Sequence, residues 1–298
     1  MSGRHPFHDR LIAFLSAPLT LLVSAGFLLA AGQGRTEKSY RAIPNCRIRI
    51  SNPPGGAIVV RGWDKAEVHA VCVTNSPKVE IDSEPTPAGA EAEKLEFITH
   101  VLDIQAAPEE KRVSYELDVP KDSSLMISNP EGSISVERVS GDDWIDSVNG
   151  TISVIDGAGL IQVRSLNGDI SLTRPVGHID ATSIMGNLTI TGSQSQNVRA
   201  QTESGKITFD GEFLPIGDYL LKTYAGEINV ICPASDSFSL EARSLHGKLD
   251  NQFKLRRRAH VPFSEVDGGG SAFGSNKRGD ASVTVKSFSG TIHVRPRS

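Results

Sequence analysis

The side chains of this 298-residue chain that are spaced to do chemistry are short, polar and repeated rather than gathered. Ser135, Ser153, Ser171, Thr189, Thr208 and Asn229 recur at intervals of 18 to 21 residues. Held in line, they would form a ladder of hydroxyl and amide groups able to hydrogen-bond a repeating glycan, although such residues are also ordinary on solvent-facing strands. A second series, Asp146, Arg164, Thr182, Gln201, Lys222, Arg243 and Lys286, turns basic toward the C-terminus, and Arg256, Arg257 and Arg258 extend that positive end. Such a column would attract an anionic lipid or polysaccharide, or be no more than a solvated face. Acid–base, nucleophilic and metal chemistry finds no comparable pattern. The eight histidines are scattered, and there is no HExxH, no G-x-S-x-G elbow, no phosphate loop and no dinucleotide fingerprint. Asp142, Asp143, Asp156 and Asp210 fall at predicted turns, where Asp hydrogen-bonds its own backbone. Asp146 beside Arg164 is the best pair for a β-helix lyase or hydrolase, and a surface ion pair accounts for it more simply. No catalytic residue, metal site or cofactor is assigned.

These positions matter only if something aligns them. From Gly132 onward one phrase recurs: a glycine, a small polar residue, an aliphatic, a polar residue and another aliphatic. It reads GSISV at 132, GTISV at 150, GDISL at 168, GNLTI at 186, GKITF at 205 and GEINV at 226, with a weaker GKLDN at 247 and a last GTIHV at 290. The glycines lie 18, 18, 18, 19, 21 and 21 residues apart, and the last comes after a gap of 43. A unit of this size holds two short strands and two tight turns and cannot bury an apolar face alone, so units must stack. Two residues after each glycine stand Ile134, Ile152, Ile170, Leu188, Ile207 and Ile228, the predicted interior row. Three residues before a glycine stand Ser147, Ser165, Ser183, Thr202, Thr223 and Ser244. Alternation leaves the direction of this hydroxyl column open; hydrogen bonding along the axis would give it a structural role. Two before, Val148, Leu166, Ile184, Tyr224, Leu245 and Phe288 break the alternation, which predicts a bend carrying them into a corner of the core.

The fold class expected is all-β, a single-chain parallel β-solenoid (β-helix) of about 18–21 residues per coil, preceded by an N-terminal signal or anchor segment. An antiparallel meander has similar strand lengths but leaves one apolar face uncovered, which favours the coil. Residues 1–34 read as a signal peptide or membrane anchor, 35–45 as a linker, 46–128 as an N-terminal strand and capping part, and 129–298 as the regular solenoid. Within the capping part, the Pro/Glu/Ala-rich stretch 84–93 reads as an exposed loop. A loop insertion is expected at 252–281, and the copy at 290 is expected to close the stack.

Composition agrees. The 28 glycines and low aromatic content suit short strands with many turns, and a net charge of −4 argues against a general nucleic-acid binder. Arg4 and Arg10 precede an apolar run from Leu11 to Ala31, with Ala30-Ala31-Gly32 as a small-residue cleavage site. The run fits a signal peptide or an uncleaved anchor, and either exports the rest of the chain. The product would then be periplasmic, outer-surface or secreted, or tethered to the inner membrane by 11–31. Of the three cysteines, Cys46 and Cys72 are the candidates for a disulfide, the alternative being three buried thiols.

The strings VPKDSSLMISNPEGSISVERVSGDDWIDSVNGTISVIDGAGLIQVRSLNGDISL and ISNPPGGAIVVRGWDKAEVHAVCV resemble the bacterial putative-adhesin domain family. The likeness rests on the Ser/Thr-x-x-Gly phrase that opens each repeat and on Gly62-Trp63-Asp64, and it covers nearly everything after residue 45. It implies a parallel β-helix, export to the cell envelope and no established enzymatic activity, and it carries over no catalytic or ligand residues. The expected function is that of an exported, non-catalytic, adhesin-like scaffold whose polar ladders meet glycan or anionic envelope polymer. A polysaccharide-processing β-helix enzyme and a membrane-anchored envelope-stress sensor are the alternatives.

Overall fold

Alternating aliphatic and hydroxyl residues give every repeat two short strands, one after its glycine and one before the next. The structure, a computed structural model, describes residues 34–256 and 269–297. The signal or anchor segment and Arg257 and Arg258 lie outside the described residues. Strands Ile134–Glu137, Ile152–Ile155, Ile170–Thr173, Leu188–Ser193, Ile207–Gly211 and Ile228–Cys232 stack in parallel as a first sheet. Strands Ser124–Ser128, Asp143–Ser147, Ala158–Ser165, Val176–Ser183, Asn197–Thr202 and Asp218–Thr223 form a second. Ile134 lies opposite Ile152, and Ile152 opposite Ile170. The fold is the expected all-β parallel solenoid. Its interior rows are fully buried, each aliphatic contributing roughly 1.5–3 kcal/mol. Pro108–Lys111 is the single helical turn among the described residues.

Glycine recurs because one coil's backbone rides directly on the next. A Cβ on Gly168 would stand 1.9 Å from the Gly150 carbonyl oxygen. The hydroxyl column, whose direction was open, points inward and is buried. Ser147, Ser165, Ser183, Thr202, Thr223, Ser244 and Ser287 each accept the N–H of the glycine three residues on, at 2.8–3.1 Å. Ser183, Thr202, Thr223 and Ser244 also donate to a glycine carbonyl of the adjoining coil, at 2.8–3.4 Å. One small side chain thereby closes its own turn and ties two coils, which is how a polar group tolerates burial. In the N-terminal coils asparagine takes over: Asn52 donates to Asn129 at 3.0 Å, and Asn129 to the Gly56 carbonyl at 2.9 Å.

At both ends, order along the axis departs from order in the chain. Ala281–Ser287 pairs with Asp218–Thr223 on one side and Phe238–Ser244 on the other. Ile292–Pro296 likewise lies between Ile228–Cys232 and Leu249–Asn251. The copy at 290 therefore does not close the stack. It slots inside the weak copy at 247, and Gly270–Asn276 covers that last coil in antiparallel fashion. The physical reason is burial: Val283, Val285, Ile292 and Val294 complete both interior rows, whereas the weak copy places Asn251 where the others have an apolar side chain. Part of the expected 252–281 loop is thus strand.

The N-terminal end is similar. Ala92–Val101 and Val113–Pro120 pair outside Gly34–Ser51 and Ile58–Trp63, although they come after them in the chain. Glu67–Thr74 and Val79–Thr86 then cover the edges in antiparallel pairing, removing templates for stray strands. Gly34, the last residue of the expected signal or anchor segment, and residues 35–41 of the expected linker are strand paired with Glu67–Thr74. The expected loop 84–93 is strand at both ends.

Candidate functional site

The first-sheet ladder exists as a line. Ser135, Ser153, Ser171, Thr189, Thr208 and Asn229 are register partners in succession. The serines and threonines are half-buried, while Asn229 is buried and donates to Glu227 at 2.6 Å. Charges on this face satisfy one another across coils. Arg174 grips Asp156 with two hydrogen bonds of 2.7 Å, and the guanidinium holds that carboxyl below the usual range. The Asn187 backbone N–H donates to Asp169 at 2.7 Å, Lys206 reaches Glu227 at 3.4 Å, and Arg297 donates to Asp210 at 3.0 Å. These pairs are exposed and contribute little individually, but they leave few free polar groups for a ligand.

The second-sheet column runs Asp146, Arg164, Thr182, Gln201, Lys222, Lys286 and then Arg243. Asp146 and Arg164 do not form the expected ion pair. The Trp144 indole N–H donates to Asp146, and the Arg164 guanidinium sits over the Trp144 ring, 5.0 Å from its centroid. Lys286 pairs with Glu241 at 3.1 Å. Arg256 bridges to Ser275 beside the terminal coil, and its guanidinium donates to the Lys277 carbonyl.

The apolar residues two before each glycine are not in a core corner. Val148, Leu166, Ile184, Tyr224 and Phe288 are 37–58% exposed and line the outer edge of the turn. Strict alternation, carried one residue past the strand, would have placed them outward: the hydroxyl before them already points in. Tyr224 and Phe288 stack with centroids 4.6 Å apart and planes 4° apart, and His246 meets Phe288 edge-on at 4.8 Å. At Glu203 the apolar line is interrupted. There a groove of about 620 Å³ opens, lined by Thr182, Ile184, Gln201, Glu203, Lys222 and Tyr224.

Two further expectations change. Asp143 and Asp210 do not cap turns: Asp210 lies on strand Ile207–Gly211, and Asp143 lies on strand Asp143–Ser147, level with Leu125 and Ile161. Asp143 is 1% exposed, and neither carboxylate oxygen has a hydrogen-bond partner. Burial pushes its pKa up to about 8. Cys46, Cys72 and Cys232 are free, buried thiols, so the Cys46–Cys72 disulfide is not formed. Burial pushes them up to about 11, about 12 and about 12. Among the described residues no three His, Cys, Asp or Glu side chains gather to hold a metal, and no helix is long and apolar enough to cross a membrane.

No protein-family model matches the chain. No curated protein matches it either. Among solved structures it is similar to a putative adhesin from Bacteroides fragilis, at 12% identity over 88% of this chain and 97% of that one, with a TM-score of 0.49. A putative cell adhesion protein from Clostridium sporogenes aligns at 11% identity over 89% and 100% of the two chains, with a TM-score of 0.28. A putative adhesin from Parabacteroides merdae aligns at 8% identity over 88% and 96%, with a TM-score of 0.24. All three names agree with the family that the repeat phrase resembles. At these identities and TM-scores they carry no argument about function, and the fold rests on the strand register.

Proposed function

We propose that this chain is an exported, non-catalytic interaction scaffold of the cell envelope or surface. Its stacked coils set side chains at a repeat of about 4.8 Å, so that individually weak contacts with one extended partner add up. The exposed apolar edge Val148, Leu166, Ile184, Tyr224 and Phe288 carries the reading. The interior is already filled, and exposed apolar surface rimmed by polar groups is characteristic of interaction sites. The basic residues Lys222 and Arg243 beside it favour glycan or anionic envelope polymer over nucleic acid in a chain of net charge −4. Export rests on Arg4, Arg10 and the apolar run Leu11 to Ala31.

Binding of the purified chain to isolated envelope material tests this, with the triple variant Leu166→Ser, Ile184→Ser, Tyr224→Ser alongside. Retention of the parent and at least tenfold weaker binding of the variant are expected. Equal binding by both would remove the apolar edge as the contact surface. Release of new saccharide ends during incubation would replace the scaffold with an enzyme.

A further inference from the structure

The apolar edge has one missing rung, and the polar groups around the gap are unused. Backbone N–H groups of Glu203, Tyr224 and Phe288 donate to the carbonyls of Ile184, Glu203 and Tyr224 at 3.1–3.2 Å. Ile184, Glu203, Tyr224 and Phe288 are therefore successive rungs. The last two show what neighbouring rungs do when both carry rings: they stack at the coil spacing. One face of Tyr224 is occupied by Phe288, and the other looks across the Glu203 rung toward Ile184. Two coil steps amount to about 9.6 Å, and a ring in contact with both walls at about 4 Å each fills that space.

Thr182, Gln201 and Lys222 stand on three successive rungs along one side of the gap, and Glu203 lines it. Among the described residues none of these four side chains, nor the Tyr224 hydroxyl, has a hydrogen-bond or ion-pair partner. By contrast, Asp156 and Glu227 on the first sheet are held by Arg174 and Lys206.

We infer that this slot binds a neutral hexopyranose unit of a glycan chain running along the solenoid axis. The sugar's C–H face lies on Tyr224 and Ile184, and its hydroxyls meet Thr182, Gln201, Glu203 and Lys222. A pyranose combines an apolar face with a rim of groups that both donate and accept, which is the combination the slot presents. The carboxylate accepts from hydroxyls and the ammonium donates to them. An acidic sugar would lose to Glu203 what it gained from Lys222. An inserted aromatic side chain would use the walls but leave the polar rim desolvated and unpaired, which costs affinity. The inference rests on the scaffold reading and gives it a ligand.

Calorimetric titration of the full chain with cellohexaose, hexa-N-acetylchitohexaose and hexagalacturonate tests it. At least one neutral hexamer should bind. Glu203→Tyr, which supplies the missing rung, and Tyr224→Ala should each weaken binding tenfold or more, and Lys222→Gln less, with unchanged circular dichroism. Because Glu203 is exposed, the first variant keeps the test decisive even if Tyr224→Ala disturbs folding. Absence of binding by both neutral hexamers, binding indifferent to Glu203→Tyr, or binding of hexagalacturonate alone would each overturn the slot. Envelope binding that survives Glu203→Tyr but is lost in the triple edge variant would sink the slot and leave the scaffold standing; binding that survives both removes the two together.

Discussion

Ser165 and Leu166 are neighbours in the chain, yet the hydroxyl is buried and the leucine is 41% exposed. The same inversion recurs at Ser147–Val148, Ser183–Ile184, Thr223–Tyr224 and Ser287–Phe288. In the buried column each oxygen has a defined partner in its own turn, so burial costs little once those hydrogen bonds are made. In the exposed column, among the described residues, Tyr224 and Phe288 stack on each other while Val148, Leu166 and Ile184 stay open to solvent. Burial here obeys strand alternation and hydrogen-bond satisfaction, and hydrophobicity alone would have put the two columns the other way round. An exposed line that recurs at equivalent positions of several coils differs from singly scattered apolar residues, which need no explanation.

The sharpest way to break the comparison lies at the glycine that the buried hydroxyl serves. Gly168→Val drives a side chain into the Gly150 carbonyl and should cost about 3 kcal/mol or more, read from the denaturant midpoint; a loss below about 1 kcal/mol would mean the coils are not in contact there.

Asp143, like the hydroxyls of Ser123 and Ser193, is a buried polar group that the hydroxyl logic does not cover. The folded pKa of Asp143, about 8, exceeds the ordinary value of 3.8, so its proton is held more tightly in the native state. Its contribution to stability is therefore greatest below about pH 4 and is lost as pH rises toward 8, at up to about 1.4 kcal/mol per unit. Asp143→Leu should stabilise the fold by a few kcal/mol at pH 8 and by little at pH 4. Unfolding curves at the two pH values check this, and a pH-independent difference would show that Asp143 is not titrating in the core.

The smallest effects separate the two columns directly. Ser165→Ala leaves the Gly168 N–H, now bonded at 2.8 Å, without its acceptor and should cost about 1–3 kcal/mol. Leu166→Ser, one residue on, should change stability by no more than about 0.5 kcal/mol. If thermal unfolding ranked them in reverse, the assignment of inside and outside at this corner would be wrong.

How far the chain could be read without coordinates depended on how local each feature is. The inward rows from Ile134 to Ile228 came from period and alternation, since each coil repeats the same short-range pattern and only stacking buries it. The column Val148 to Phe288 is apolar in the sequence, which suggests a bend into the core, whereas plain alternation past the buried hydroxyl turns it outward. Asp143 was taken for a turn residue, since GDDW reads as turn chemistry until the strand register places it level with Leu125.

The amino-acid sequence by itself determined the stacking unit, its period and the residues that face inward, because these are properties of a few neighbouring residues repeated many times. Tertiary structure alone decided that the copy at 290 lies inside the copy at 247, that the N-terminal coils interleave, and that Glu203 opens a slot beneath Tyr224. Those outcomes come from competition among distant segments for the same sheet edges. The segment burying the most apolar surface takes the inner place, and no local pattern records which segment that will be.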